Sequence, residues 1–190
     1  MRGHGTVAAI IRVMAGDNGD GVTFRCAGSE HTGDVLSVLD EAAGWLGARG
    51  VGQWPRRFEA AWVEDAISRG ETWLVEVDGR VAGTATVDWS DPLWADVAGT
   101  AAYLHRMAVR RWAAGLGGAI LDWVADSAVR RGVDAVRLDC VRSNGRLRSY
   151  YEARGFVHRG DVAVGGAPGQ RQQDGPVTWV SRYELVLAGR

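Results

Sequence analysis

The sequence predicts a single α/β domain built on a mixed β-sheet, and three observations carry that reading. The chain has 190 residues, about one domain on the usual size scale. Its apolar pattern switches between period two and period 3.6 in the order β-α-α-β-β-β-α-β-α-β-β, with no internal repeat. A full helix separates two of the strands, which makes them parallel neighbours joined by a right-handed crossover. A tight hairpin elsewhere makes another pair antiparallel.

Residues 1–20 read as a flexible leader, because Gly16 to Gly21 is rich in Gly, Asp and Asn. The short apolar piece Val7 to Val13 lacks the full hydrophobic region and cleavage site of a signal peptide. The domain then runs over 21–190. Val22 to Ala27 reads as the first strand. Asp34 is a natural N-cap, and Val35, Leu36, Leu39, Ala42, Ala43 and Leu46 follow at helical spacing. The segment Gly50 to Pro55 breaks this helix. Pro55 is placed near the start of a second helix, whose apolar face is Phe58, Ala61, Trp62 and Ala66.

Thr72 to Val77 and Arg80 to Val87 flank Asp78-Gly79, a pair that supplies the positive φ a two-residue hairpin turn needs. Asp88 to Gly99 is a Trp-rich loop containing Pro92. Ala101 to Val109 is a strand. Leu116, Ala119, Ile120, Trp123, Val124 and Ala128 form one helix face ended by Gly132. Asp134 to Val141 is the parallel partner strand. A short helix from Asn144 to Arg154 stops at Gly155, and Phe156 to Val164 and Val177 to Leu187 are the last strands. Gly165 to Pro176, rich in Gly and Gln, reads as a mobile connection.

Composition excludes several chemistries. All 22 basic residues counted as Lys+Arg are Arg. Without Lys there is no P-loop, no protein-kinase site and no Schiff base. A net charge of -1 gives no basic field for nucleic acid, and no apolar run is long enough to span a membrane. Cys26 and Cys140 stand far apart, with no metal-ligand spacing among the Cys and His residues, so neither a disulfide scaffold nor a metal is expected. Two thiols suit a reducing, cytoplasmic setting.

Two segments carry chemistry. Val109 to Ala119 reads V-R-R-W-A-A-G-L-G-G-A. A strand feeds a Gly-rich turn that opens a helix, whose first amides point outward and attract an anion. Gly115, Gly117 and Gly118 allow a phosphate near the backbone, and Arg110 and Arg111 add charge. The second segment follows the partner strand. Asn144, Tyr151, Glu152, Gly155 and Phe156 have the spacing N-x-x-x-x-x-x-Y-E-x-x-G-F. Only one other Asn, Asn18, occurs in the chain, so composition alone rarely produces that match.

Here the sequence resembles the GNAT superfamily of acyl-CoA N-acyltransferases over roughly residues 21 to 190. The resemblance implies a single GNAT-like domain, with helices on both faces of the central sheet and acetyl-CoA as co-substrate. It also implies direct transfer to a primary amine of a small molecule or peptide in a ternary complex, and it leaves a homodimer open. The family's pyrophosphate turn has the form [QR]-x-x-G-x-[GA]. Counted from Val109, Ala114 takes the Arg/Gln place, with Gly117 and Ala119 following. Counted back from the helix face, Trp112 takes it, with Gly115 and Gly117. The second register is preferred, since the first would bury Asp122. Either way the Arg/Gln is absent, and Arg110 or Arg111 is expected to compensate. This departure favours a rival reading, a non-catalytic acyl-CoA-binding regulatory or interaction domain.

The same resemblance places cofactor contacts on the backbone of Met107 and Val109, on Arg110, Arg111, Ala114, Gly115, Leu116, Gly117 and Gly118, and on Asn144 and Tyr151. Tyr151 takes the place of the general acid for the CoA thiolate; the alternative is a packed phenol. Asn144 contacts the pantetheine arm, caps its helix, or does both. Asp139 stands twelve residues before Tyr151, where some members carry a general base; the alternative is a structural carboxylate paired with Arg. His105 alternates in phase with Tyr103, Met107 and Val109 and has the ordinary pKa of a base near neutrality; it is otherwise a core histidine. Gln53, Trp54, Trp89, Asp91 and Trp94 lie in loops that would flank an acceptor groove suited to an amine cation.

Overall fold

The computed structural model describes residues 10–14, 21–165 and 177–187. Its eight-stranded sheet has the order β1-β2-β3-β4-β5-β6-β8-β7. The strands are β1 (Ile10–Met14), β2 (Gly21–Cys26), β3 (Thr72–Val77), β4 (Arg80–Asp88), β5 (Ala101–Val109), β6 (Ala135–Val141), β7 (Val157–Val164) and β8 (Thr178–Val186). The helices are α1 (Thr32–Gly47), α2 (Ala61–Ser68), α3 (Gly117–Arg131) and α4 (Gly145–Ala153). Among the described strands only β5 and β6 pair in parallel, as the crossover through α3 requires.

The expected α/β class and mixed sheet are present, with helices on both faces. Phe24, Val75, Val87 and Leu138 pack with Ile120, Trp123 and Val124 of α3 and with Tyr151 of α4. On the other face Leu74 and Ala108 pack with Val35, Val38 and Leu39 of α1 and Val63 and Ile67 of α2. Phe24 and Trp123 stack with centroids 4.4 Å apart at the centre of the first layer. The hairpin turn has φ 52° at Asp78 and 75° at Gly79, the left-handed pair that the Asp-Gly sequence predicts.

Local departures have simple causes. Residues 10–14, expected within a leader, form β1 antiparallel to β2; the rest of that leader lies outside the described residues, as does 166–176. A short 3-10 turn at Ser29–His31 carries the chain into α1, so the helix begins at Thr32 and Asp34 sits inside its first turn. There its carboxylate still meets the positive end of the dipole. The second helix starts at Ala61, not near Pro55, because Phe58 is pinned first. Its amide donates to Asp40 Oδ1 at 2.8 Å. No helix among the described residues is long and apolar enough to cross a membrane.

Candidate active site

The site begins where β5 and β6 separate. Their parallel register runs from Ala101 with Ala135 to Leu104 with Leu138 and goes no further. Beyond that point the two strands line opposite sides of a cleft of about 650 Å³. From His105 onward the edge of β5 is therefore not laddered to β6, which leaves strand-edge amides and carbonyls for a ligand that binds as an added strand.

A bulge aims the cleft side of β5. Thr86 pairs with His105 but Thr84 pairs with Ala108, so β5 carries one extra residue there. Arg106 has φ 49°, a conformation few non-glycine residues adopt. The bulge overturns the expected phase. Ala102 and Leu104 face the α3 layer before it, and Met107 and Val109 face that layer after it. Tyr103 belongs to the opposite face, as does Ala108. His105 thus shares a face with Tyr103 but not with Met107 and Val109.

Asp139 lies on β6 between Leu138 and Cys140, which are buried against α3 and α4, so its carboxylate projects to the α1 side, as the alternation predicts. Its cross-strand neighbour is Arg182, whose guanidinium bonds Asp96 and the carbonyls of Leu93 and Arg159. The ligand atoms of Asp139, His105 and Asp91 all lie within 4.8 Å of one another, close enough to surround one cation. His105 Nε2 is 3.4 Å from Asp88 Oδ2 and 3.7 Å from Asp91 Oδ2. Asp91 is held by its other oxygen, which accepts the Leu93 amide at 2.9 Å and caps the Pro92–Trp94 turn.

Asp88 is pushed up to about 6, first by burial and then by its hydrogen bond and repulsion with Glu71. A carboxyl raised in the folded state binds more protons there than in the unfolded chain, so its ionisation lowers stability as pH rises through about 6. Asp88→Asn should therefore stabilise the fold at pH 8, by about 2 kcal/mol after discounting for partial solvent access. The gain should shrink towards pH 4. Denaturant midpoints of both proteins across this range check the sign; a gain that grows on acidification would refute it.

Tyr151 enters from the opposite layer. Its ring sits between Phe156 and Tyr183, with centroids 5.8 Å and 6.0 Å away, and it lines the cleft. Burial, then the proximity of Cys140 and Asp139, drives its pKa well above the ordinary phenol value. Glu152 accepts the Tyr183 hydroxyl at 2.8 Å, so the acidic member of the closing motif ties α4 to β8. Asn144 does cap α4, accepting the Leu147 amide at 3.2 Å, and it also lines the cleft. Gln53 reaches over from the α1–α2 connection. Its Oε1 accepts from Val141 N and Asn144 Nδ2, both at 3.3 Å.

The Gly-rich turn is partly as expected. The chain passes through a 3-10 turn at Arg111–Ala113 and Gly115 at φ 110°, and α3 opens at Gly117. Asp122 is exposed, in line with the register that places Trp112 at the Arg/Gln position. Arg111 lines the cleft, whereas Ala114 and residues 115–118 lie beyond its lining, with Gly117 next to Tyr150. Arg110 does not turn towards this helix start. Its guanidinium bonds Glu41 at 2.6 Å, Ser37 at 2.9 Å and the Val81 carbonyl at 3.1 Å. Glu41 also accepts the Arg111 amide, the main reason its own pKa is lowered. Arg110 thus anchors the turn to α1 instead of compensating for the missing Arg/Gln.

Two of the loop Trp residues are also placed elsewhere. Trp94 is buried with Ala101 and Tyr103, and Trp89 lies under Arg131, 4.1 Å from its ring centroid. Trp54 does line the cleft, together with Trp45 of α1. Glu41 and Arg146 also line it and carried no sequence signal beyond charge.

The sequence profile of the acetyltransferase (GNAT) family matches residues 39–156. The chain belongs to the GNAT family. The N-acetyltransferase YesJ of Bacillus subtilis (strain 168), described as uncharacterized, is 31% identical over 147 residues, covering 72% of this chain and 82% of YesJ. Among solved structures, a GNAT-family acetyltransferase from Listeria monocytogenes 4b F2365 superposes with a TM-score of 0.72 at 25% identity, over 93% of this chain and all of that one. The putative acetyltransferase YncA from Salmonella typhimurium, solved with its cofactor acetyl-CoA, has a TM-score of 0.59 at 16% identity, over 89% of this chain and 95% of that one. At that identity it is a fold match. Within this GNAT domain the closing motif and the strand separation meet at one cleft.

Proposed function

We propose that the protein is an acetyl-CoA-dependent N-acetyltransferase that acetylates a primary amine of a small molecule or peptide by direct transfer in a ternary complex. The observation that carries this reading is the pairing of two groups across the strand separation. Tyr151 comes from the α4 layer and the His105–Asp139–Asp91 cluster from the other. A thioester laid along the edge of β5 at Met107 and Val109 has a proton donor on one side and a proton acceptor on the other.

His105 takes the ammonium proton, held by Asp88 and Asp91, and Asp139 adds negative charge that draws the cationic amine in. Tyr151 donates to the departing sulfur. The raised pKa keeps the phenol protonated, so it can stabilise the developing thiolate at any ordinary pH. Trp45 and Trp54 supply aromatic faces for the acceptor. Neither Cys fits a covalent route, since burial drives Cys140 up to about 12 and raises Cys26. The thiol usage also favours a cytoplasmic place of action.

One observation favours the rival, a non-catalytic acyl-CoA-binding domain. Trp112 stands where the family's Arg/Gln is expected and stacks with Arg80 at 4.4 Å. Calorimetric titration with acetyl-CoA, followed by a thiol-release screen over amines, separates the two. Heat on titration with thiol release for at least one amine supports the enzyme. Binding with no release for any amine supports the rival.

A further inference from the structure

Tyr150 of α4 and Arg154, the C-cap of that helix, lie on the first turn of α3. An added Cβ at Gly117 would come 2.9 Å from the Tyr150 hydroxyl, and one at Gly118 would overlap the Arg154 guanidinium. Residues 150 and 154 are one turn apart on the same helix face, and the Arg154 guanidinium sits 5.8 Å from the Tyr150 ring centroid. Gly118 is therefore required for more than a close backbone approach. It is the surface on which a guanidinium rests, beside amides that the helix leaves without intrahelical partners.

Among the charges near this turn, Arg111 lines the cleft, Arg110 is committed and Arg154 is weakly held. Arg110 bonds Glu41 and Ser37. Trp112 offers no charge. Arg154 pairs with Asp122 at 3.3 Å, but Asp122 is 72% exposed and Arg154 34%. A pair that open to water is worth little, so the guanidinium can exchange Asp122 for a stronger anion at small cost. A planar guanidinium fork suits a phosphate better than any other side chain does.

We infer that Arg154, seated on Gly118 and braced by Tyr150, holds the diphosphate of acetyl-CoA at the first turn of α3, in place of the absent Arg/Gln. This rests on the reading that acetyl-CoA binds here. Tyr150 also lines the cleft, so the same helix face links the diphosphate grip to the channel that leads to Tyr151.

The test is titration of wild type, Arg154→Gln, Arg154→Lys and Asp122→Asn with acetyl-CoA, acetyl-dephospho-CoA and S-acetylpantetheine. Arg154→Gln should weaken acetyl-CoA and acetyl-dephospho-CoA equally, by about tenfold, and leave S-acetylpantetheine unchanged. Arg154→Lys, which keeps the stem and charge without the fork, should lose about threefold. Asp122→Asn, which frees the guanidinium, should bind acetyl-CoA at least as tightly as wild type. Equal acetyl-CoA affinity in wild type and Arg154→Gln overturns the inference and leaves the functional reading intact. A loss absent with acetyl-dephospho-CoA moves the contact to the 3′-phosphate and overturns the diphosphate assignment. A loss that persists with S-acetylpantetheine shows a packing role and overturns it as well. No binding by wild type overturns the functional reading, and the inference with it.

Discussion

Replacing Tyr151 with Phe should lower kcat by about 10²–10³, the cost of removing one donor aimed at developing negative charge, while the Kd for acetyl-CoA stays unchanged. The substitution removes one oxygen from a ring packed between Phe156 and Tyr183, so shape and stability should be retained. The raised pKa sharpens the expectation. A phenol this reluctant to ionise acts as a hydrogen-bond donor to the sulfur throughout the ordinary pH range. Wild-type turnover should therefore show no alkaline limb from Tyr151 below about pH 10. Stopped-flow or steady-state thiol release, with calorimetry for the Kd, makes the measurement. Turnover equal to wild type would remove Tyr151 from the reaction and leave it as packing.

The second large effect belongs to His105. His105→Gln should reduce kcat/KM for the amine by about 10²–10⁴ at pH 7, the usual worth of a positioned base. The deficit should narrow as pH approaches the acceptor's own pKa, because the amine then arrives deprotonated. That pH rescue separates a base from a merely structural residue. The geometry behind it is the approach of Asp88 at 3.4 Å and Asp91 at 3.7 Å to Nε2. Asp139→Asn should instead raise KM for the amine with little pH dependence. If Asp139→Asn shows the rescue and His105→Gln does not, Asp139 is the base.

The parts of this site that were legible in the chain are those set by neighbours within a turn or two. Asn144 follows a strand and precedes a helix, and it is both cap and cleft residue. Tyr151 is carried to the cleft by the spacing of a motif that fits one helix face. The alternation of Leu138, Asp139 and Cys140 assigns the carboxylate to its face correctly. His105 was reached by the same alternation, but the extra residue at Arg106 breaks the period, and nothing in A-A-Y-L-H-R-M-A-V marks which position bulges. Asp88 and Asp91 were visible only as loop residues; their approach to His105 depends on how the Trp-rich connection folds over β5.

The sequence by itself determined the element types from β2 onward, the parallel β5–β6 pair, the Asp78-Gly79 turn and the family. Each follows from rules that act over a few residues: a 3.6 or 2.0 period, a positive φ, a cap, a fixed motif spacing. Tertiary structure alone decided where the arginines went. Arg110 is adjacent to the turn it was expected to charge, yet Glu41, 69 positions earlier, takes its guanidinium. Arg154 stands outside that turn in sequence and lies upon it in space. A long flexible side chain goes to whichever carboxylate or carbonyl the packed layers bring within reach, and that choice depends on segments far apart along the chain.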